Sequence, residues 1–160
     1  MKIGELLVQN RVLSQEQVDR AVAEQVASGE PFGSVCERLF GVHPKVVEGA
    51  WAQQYASLVA DVAARLDEID LDAEQTITRR QAWQFRCAPL RYEDDQLIVA
   101  TCVPALPRAL RFATTHIAAP VFFVLVSPEE LANHLSKRFP MIGMDEEIIR
   151  RGFDSSIEAA

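Results

Sequence analysis

The chain opens with KIGELLVQNRVLSQEQVDRAVAEQ, residues 2–25, and repeats the same pattern 29 residues later as PFGSVCERLFGVHPKVVEGAWAQQ, residues 31–54. A single helical hairpin of this size cannot bury its apolar face alone. We therefore predict that the two repeats stack into one compact helical subdomain over residues 1–57. The matched positions carry glycine, aliphatic residues, alanine and a final glutamine: Gly4 and Gly33, Leu6 and Val35, Leu13 and Val42, Val18 and Val47, Ala21 and Ala50, Ala23 and Ala52, and Gln25 and Gln54.

The first repeat is predicted to form two helices. The first of them is short and stops near Asn10. Ser14 and Gln17 have the spacing of a capping box, in which the serine hydroxyl accepts from the Gln17 amide while the glutamine reaches back to the serine amide. The second helix is then predicted over residues 15–27, with Gly29 ending it. One stripe of that helix is expected to be buried and to contain Val18, Ala21, Val22 and Gln25 or its neighbours.

The second repeat follows the same plan. A short helix is predicted over residues 33–40, and Gly41 ends it. His43 then stands at the cap of the fourth helix, and Pro44 occupies the first helical position, where a missing amide proton is harmless. The fourth helix is predicted to carry Val47, Ala50, Trp51 and Gln54.

The composition is that of an ordinary globular protein and excludes some functions. The chain has 160 residues, 49% of them hydrophobic, with 16 Lys and Arg against 23 Asp and Glu, and a formal net charge of -7. An acidic balance argues against general nucleic-acid binding, which needs a basic face. No apolar run approaches the roughly 20 residues that span a bilayer, and the first residues have neither a signal nor a transit pattern. We therefore expect a cytoplasmic protein.

The segment 58–77 is acidic and is predicted to connect the helical subdomain to a second unit. The segment is predicted to be a helix or an extended connector. Its acidic residues are interspersed among apolar ones, which favours a solvated helix face over a metal site or a general acid and base. The acidic residues are Asp61, Asp67, Glu68, Asp70, Asp72 and Glu74.

The pattern changes at Thr78 and predicts a small α/β subdomain over residues 78–140. TRRQAWQF, from residue 78, is typical of a short helix, and APLRYE and QLIVATC are strand-like runs on either side of a hairpin turn at Asp94 and Asp95. LPRALRFATTH, from residue 106, has helical spacing, and VFFVLV, residues 121–126, is typical of a strand covered on both faces. Ser127, with Pro128 and Glu130 behind it, caps a last helix.

The predicted fold class is therefore α+β, with a duplicated helical-hairpin subdomain followed by a small αββαβα sandwich. The final segment, residues 141–160, is predicted to be a tail with a short helix at about residues 145–151.

No catalytic or metal-binding signature appears in the chain. Cys36, Cys87 and Cys102 are widely spaced and are best explained as buried free thiols. The three histidines, His43, His116 and His134, are equally scattered. The two tryptophans, Trp51 and Trp83, are expected to anchor a core or an interface. A small enzyme stays an alternative that would need a deep polar cleft, but the prediction is that the chain is not an enzyme.

With its glycine, apolar pair, capped helix and final glutamine, the repeat resembles the N-terminal module of type II secretion and type IV pilus assembly ATPases. This module is the GspE N-terminal domain, which includes a cyclic di-GMP-binding version called MshEN. PLRYEDDQLIVATCVPALPRAL and VFFVLVSPEELANHL are likewise similar in layout to the α/β subdomain that follows it. The seven glycines allow no GxxxxGK phosphate-binding loop of the ATPase motor. The expectation is a stand-alone relative of the regulatory module or a truncated piece of a longer protein.

The resemblance implies a candidate ligand site in the repeats. In the dinucleotide-binding version each repeat begins with a basic residue, an aliphatic residue and glycine, and a glycine lets backbone amides approach a base or phosphate. Lys2 is a lysine where arginine would grip guanine in a bidentate manner, Pro31 donates nothing, and Arg11 replaces a loop glycine. Cys36 and Glu37 stand where two aliphatic residues would. The candidate ligand-binding residues are Lys2, Ile3, Gly4, Leu7, Arg11, Gln25, Phe32, Gly33 and Gln54.

Three explanations of the repeated glycines stay open at this point: close helix packing, a retained nucleotide site, or a site for another ligand. The resemblance implies a non-enzymatic regulatory or adaptor module that binds a protein partner, with secretion or pilus machinery as the expected partner. The alternative is a cyclic di-GMP receptor. No other cofactor and no metal are expected.

Overall fold

A computed structural model describes residues 2–150 and divides the chain into two compact units, with the boundary between Leu58 and Val59. Unit 1 precedes this boundary and unit 2 follows it. None of the helices among residues 2–150 is both long enough and apolar enough to cross a bilayer.

Unit 1 consists of four helices: α1 (Ile3–Gln9), α2 (Gln15–Ser28), α3 (Phe32–Phe40) and α4 (Pro44–Leu58). The predicted caps are confirmed. The Ser14 hydroxyl accepts from the Gln17 amide at 3.2 Å, and the Gln17 side chain accepts from the Ser14 amide at 2.9 Å. Gly29 and Gly41 end α2 and α3 in the left-handed conformation that glycine adopts without strain.

The two repeats pack reciprocally. Helix α1 packs most closely on α4, and its counterpart α3 packs on α2, so each first helix lies against the second helix of the other repeat. A polar contact accompanies each pair: Asn10 donates to Gln53 at 3.4 Å, and Arg38 pairs with Glu24 at 3.1 Å. Glu24 and Gln53 are equivalent positions of the two repeats. This exchange of contacts is what an internal twofold arrangement produces.

The core of unit 1 uses the same repeat positions twice. Leu7 and Cys36 are fully buried, and the equivalent pairs Leu13 and Val42, and Ala21 and Ala50, are also buried. Val22 departs from its prediction, because 46% of its surface is exposed. The reason is that the buried stripe of α2 is narrow and contains Val18 and Ala21, which leaves Val22 on its solvent side.

The repeated glycines of unit 1 lie where an added side chain would clash. A Cβ atom at Gly4 would be 2.8 Å from Val18 Cγ1, and one at Gly33 would be 2.7 Å from Val47 Cγ1. Val18 and Val47 are themselves equivalent residues. Real Cβ atoms essentially never approach a carbon this closely, and a valine in a helix has little rotamer freedom to move away. Close packing therefore accounts for both glycines.

Unit 2 contains the predicted αββαβα order, which confirms the α+β class. Helix α6 leads into the strands β1 and β2, α7 connects β2 to β3, and α8 packs on β1 and β2. A short 3-10 helix at Val103–Ala105, absent from the prediction, precedes α7. The elements are α5 (Leu71–Glu74), α6 (Arg79–Phe85), β1 (Ala88–Glu93), β2 (Gln96–Thr101), α7 (Leu106–His116), β3 (Val121–Leu125), α8 (Pro128–Arg138) and α9 (Glu146–Arg150).

The sheet has the order β1-β2-β3, with β1 and β2 antiparallel and β2 and β3 parallel. Asp94 and Asp95 form the predicted hairpin turn with φ of 50° and 64°, the left-handed pair that a type I′ turn requires. Phe123 and Val124 point to opposite faces of β3 and both are buried, as predicted for a strand with two covered faces. The remaining residues of β3 are half-buried.

The segment between residues 61 and 74 was predicted to be a helix or an extended connector. Only Leu71–Glu74 is helical, so the solvated helix face is wrong for most of the segment. Arg91 supplies the reason. Its buried guanidinium donates to the carbonyl oxygens of Ala64 and Arg65 at 3.1 Å and of Glu68 at 3.4 Å. These carbonyls turn toward a side chain of β1 instead of toward helical amides, so the segment forms an ordered loop on the sheet.

Two further predictions concern the end of unit 2. Trp83 is buried, and its indole nitrogen donates to the Phe139 carbonyl at 2.7 Å, which ties α6 to the residue that ends α8. The short helix expected at residues 145–151 is present as α9, and the part of that prediction at Arg151 lies outside the described residues.

We predict opposite effects for alanine at three glycines that all lie within helices. Gly4→Ala and Gly33→Ala should each lower the free energy of unfolding by about 1–2 kcal/mol, because overpacking against valine outweighs the gain in helix propensity. Gly49→Ala is the control, since nothing lies within 4 Å of its Cβ position in α4. This variant should raise stability by up to about 1 kcal/mol. Urea unfolding followed by circular dichroism measures the free energy of unfolding of all three variants. Equal changes in this free energy at the three glycines would contradict the packing explanation.

Candidate functional site

The starts of α1 and α3 lie next to each other in unit 1. The Cβ position of Gly4 is 3.5 Å from Cζ of Phe32, so the glycine of one repeat meets the aromatic residue that opens the other. Ile3 and Phe32 are half-buried against the core of unit 1. Lys2 is exposed just before α1, where its backbone amide donates to Glu5 at 3.0 Å. The structure thus brings four of the nine candidate residues to the adjoining starts of α1 and α3: Lys2, Ile3, Gly4 and Phe32.

The remaining candidates have different environments. Leu7 is fully buried in the core, so its side chain has no surface for a ligand. Gln25 and Gln54 are half-buried at equivalent positions of α2 and α4. Gly33 is held against Val47, as described above.

Arg11 occupies a backbone conformation that glycine prefers. Its φ is 58°, immediately after Asn10 caps α1, and its side chain is exposed. A left-handed conformation costs a non-glycine residue roughly 1 kcal/mol. The carbonyl of Leu7 nevertheless accepts from the Val12 amide at 2.9 Å and from the Leu13 amide at 3.3 Å, so the end of α1 is closed despite the arginine.

The second helices of both repeats present apolar side chains away from the core. Val22 and Val26 of α2 are 46% and 82% exposed. Their equivalents in α4 are Trp51 and Tyr55, which are half-buried and whose ring centroids are 5.7 Å apart. We call Val22 and Val26 the α2 apolar pair.

The cysteines are buried free thiols, as predicted. Burial raises the pKa of Cys87 to about 12 and that of Cys102 to about 11, and it also raises the pKa of Cys36. These thiols are therefore protonated and weakly nucleophilic at neutral pH. Burial lowers the pKa of His134, whose Nε2 has no hydrogen-bond partner among the described residues. No group of His, Cys, Asp or Glu within residues 2–150 could hold a metal ion.

Unit 2 contains an open groove of about 800 Å³ that the sequence reasoning did not identify. It lies between α6, α7 and the segment that contains α9. Its lining includes arginines at α6 and α7 and two aromatic residues, Phe85 and Phe112, that are 27 positions apart in the sequence. No single sequence motif contains these residues. The only sequence signal is the pair Arg108 and Arg111, which lie one turn apart on α7.

Comparison with known proteins identifies one family. The family model of the MshEN domain matches residues 58–143, which is more than half of the chain and corresponds to unit 2. A solved structure of MshE with cdg is 21% identical, with a TM-score of 0.46, and the match covers 86% of this chain and 99% of that one. The comparison with curated proteins found no match. The resemblance stated from the sequence is thereby confirmed for the family.

We predict that Arg11→Gly raises the free energy of unfolding by about 1 kcal/mol, because it relieves the left-handed strain at this position. Arg11→Ala is the matched control. It removes the same charge but keeps a Cβ atom, so it should leave stability nearly unchanged. Thermal and urea unfolding measure both variants. A gain of the same size in both would indicate that the arginine charge, and not its backbone, is unfavourable.

Proposed function

Since the chain belongs to the MshEN domain family, we propose that it is a non-enzymatic regulatory or adaptor module that acts in the cytoplasm by binding a protein partner. The partner we propose is a component of secretion or pilus machinery, as the relation to the N-terminal module of the assembly ATPases implies. A module of this kind needs a stable scaffold and an exposed recognition surface, with no reacting groups.

The observation that carries this proposal is the α2 apolar pair. Val26 is 82% exposed and Val22 46%, although the helix that carries them has a well-defined buried stripe at Val18 and Ala21. Val22 and Val26 lie at i and i+4, which is the spacing of two anchors in a helix-in-groove contact. The protonated, buried state of the three thiols supports a binding role over nucleophilic chemistry at those residues.

Site-specific photocross-linking in the native host tests this proposal. The photoreactive residue p-benzoylphenylalanine is placed at Val26, and a control is placed at Glu16, which is exposed on the same helix. We expect cross-links from position 26 to a component of secretion or pilus machinery and about tenfold fewer from position 16, since contact at a central apolar anchor dominates an interface. Equal labelling from both positions, or products that contain no such component, would contradict the proposal.

A second candidate function is binding of cyclic di-GMP by unit 1. The observation in its favour is the reciprocal packing of the repeats, which puts Gly4 beside Phe32 at the starts of α1 and α3. Cyclic di-GMP consists of two identical halves, and a pair of repeats related by an internal twofold offers matching contacts to both halves. Lys2 is exposed at this end and would supply a positive charge for a phosphate.

Calorimetry tests this candidate. If unit 1 binds cyclic di-GMP, titration should give saturable heat at tens of micromolar ligand, and Lys2→Ala should weaken the affinity by about fivefold through loss of one charge contact. Arg79→Ala is the control, because it removes an exposed cation of unit 2. Glycine variants are unsuitable because they alter packing. Absence of heat from the unaltered chain would eliminate the candidate and leave the adaptor proposal intact.

A further inference from the structure

Of the three histidines of the chain, only His134 is buried. His43 and His116 are exposed, whereas His134, on α8, is only 7% exposed. Its Nε2 atom is buried without a hydrogen-bond partner among the described residues. A buried polar atom without a partner is unfavourable, and a positive charge on the same ring would be far more so.

His134 lines a cavity of about 440 Å³ between α8 and the segment that precedes α5. We call residues 64–70 of that segment the 64–70 loop. Leu66 and Ile69 of this loop line the cavity and are half-buried. The buried imidazole is therefore separated from water on this side only by a loop and the cavity beneath it.

The carboxylate whose charge acts most directly on His134 is already paired. It belongs to Glu74 of α5. Both of its oxygens accept from Arg138, Oε2 from Nε at 2.7 Å and Oε1 from Nη2 at 2.8 Å. A bidentate pair of this kind is strong and fixed in geometry. Glu74 is therefore not free to compensate a charge on His134.

The other charged groups around α8 are exposed or paired with one another. Glu130 and Asp67 line the cavity but are exposed to water, which screens their charges. The remaining charged residues of the elements beside α8 are Lys137 of α8 itself, Arg65, Glu68 and Asp70 of the 64–70 loop, Asp72 of α5, Arg91 and Glu93 of β1, and Glu146, Glu147 and Arg150 of α9. Arg91 pairs with Glu93 at 3.2 Å, and Arg150 pairs with Glu146.

These surroundings favour the neutral ring. Burial lowers the pKa of His134, Glu74 opposes that effect, and the charges of Arg138 and Lys137 add to it. The folded chain therefore takes up a proton at His134 less readily than the unfolded chain, in which histidine titrates near pH 6.5. The stability gained from a neutral His134 is fully present above about pH 6.5 and is lost as the pH falls from there toward the lowered pKa.

We propose that His134 is a pH-sensitive switch in unit 2: when its ring takes up a proton, the 64–70 loop opens away from α8 and lets water reach the imidazolium. This inference goes beyond the adaptor function and holds for any partner that the chain binds.

The loop, and not the helix, is the element that yields. Leu131 and Leu135, which lie near His134 on α8, are fully buried, so displacing the helix would expose two large apolar side chains. Leu66 and Ile69 are only half-buried, so opening the loop exposes less apolar surface. Local opening of the least buried element is the least costly way to hydrate a buried charge.

Hydrogen exchange of backbone amides, measured by NMR on the full chain, tests the proposal. The reporter is the Asp70 amide, which donates to the Leu90 carbonyl of β1 at 2.7 Å. Between about pH 7.5 and about pH 5.5 we expect its protection factor, corrected for the intrinsic pH dependence of exchange, to fall several-fold. The Leu135 amide within α8 is the internal control and should keep its protection.

Variants at two histidines show whether His134 causes this change. His134→Leu removes the titrating ring, so the protection of the Asp70 amide should no longer depend on pH. His134→Gln is a second variant without a titrating ring, and it keeps a polar side chain if leucine disturbs the packing of α8. His116→Gln is the matched control, because His116 is an exposed histidine of the same unit, and it should retain the response of the unaltered chain.

Two neighbouring cations test the role of Glu74, with the protonation of His134 followed directly by NMR of its ring protons. Arg138→Gln removes one positive charge and frees the Glu74 carboxylate, so it should raise the pKa of His134. Lys137→Gln removes an equal charge but leaves Glu74 paired, so it should raise this pKa by a smaller amount.

Four outcomes would overturn the proposal. Three concern exchange: unchanged protection of the Asp70 amide in the unaltered chain, an equal fall in both His134 variants, or an equal loss at the Leu135 amide, which would indicate that the whole unit opens. The fourth is a His134 ring that titrates as it does in the unfolded chain, since such a ring is not kept neutral by the fold.

Discussion

The close approach of a valine to a glycine, made twice, is the constraint on which unit 1 depends. With Val18 Cγ1 2.8 Å from the Cβ position of Gly4, and Val47 Cγ1 2.7 Å from that of Gly33, neither first helix could lie as close to the second helix of its own repeat with any other residue. The distance between the helices then sets which side chains are buried. Leu7 and Cys36 are fully buried in the core of unit 1, whereas Val22 and Val26 are exposed.

This constraint also distinguishes two explanations of the repeated glycines, namely close helix packing and ligand binding. A glycine required by packing gives no evidence of a ligand, so Gly4 and Gly33 alone do not favour a nucleotide site. The evidence for such a site has to come from residues that packing does not explain. Lys2 and Arg11 are exposed, and Gln25 and Gln54 are half-buried at matched positions of the two repeats.

Local chemistry made much of the fold predictable. Helix ends were predictable from the sequence because each signal satisfies backbone groups within a few residues. These signals are the capping box at Ser14, the left-handed glycines at 29 and 41, and the cap at Ser127. The loop before α5 could not be predicted from the local sequence, because it depends on Arg91, a residue of β1 that is more than 20 positions away. The groove of unit 2 was missed for the same reason, since Phe85 and Phe112 meet only after the chain folds.

The reciprocal packing of the repeats has a consequence for how unit 1 assembles. Two separate copies of one helical hairpin could make the same contacts about a twofold axis, as a homodimer does. In that case, assembly would depend on protein concentration. Joining the hairpins through the few residues between Ser28 and Phe32 makes the association intramolecular and raises the effective concentration of each hairpin for the other to the millimolar range. Unit 1 therefore has the architecture of a tethered dimer within one chain.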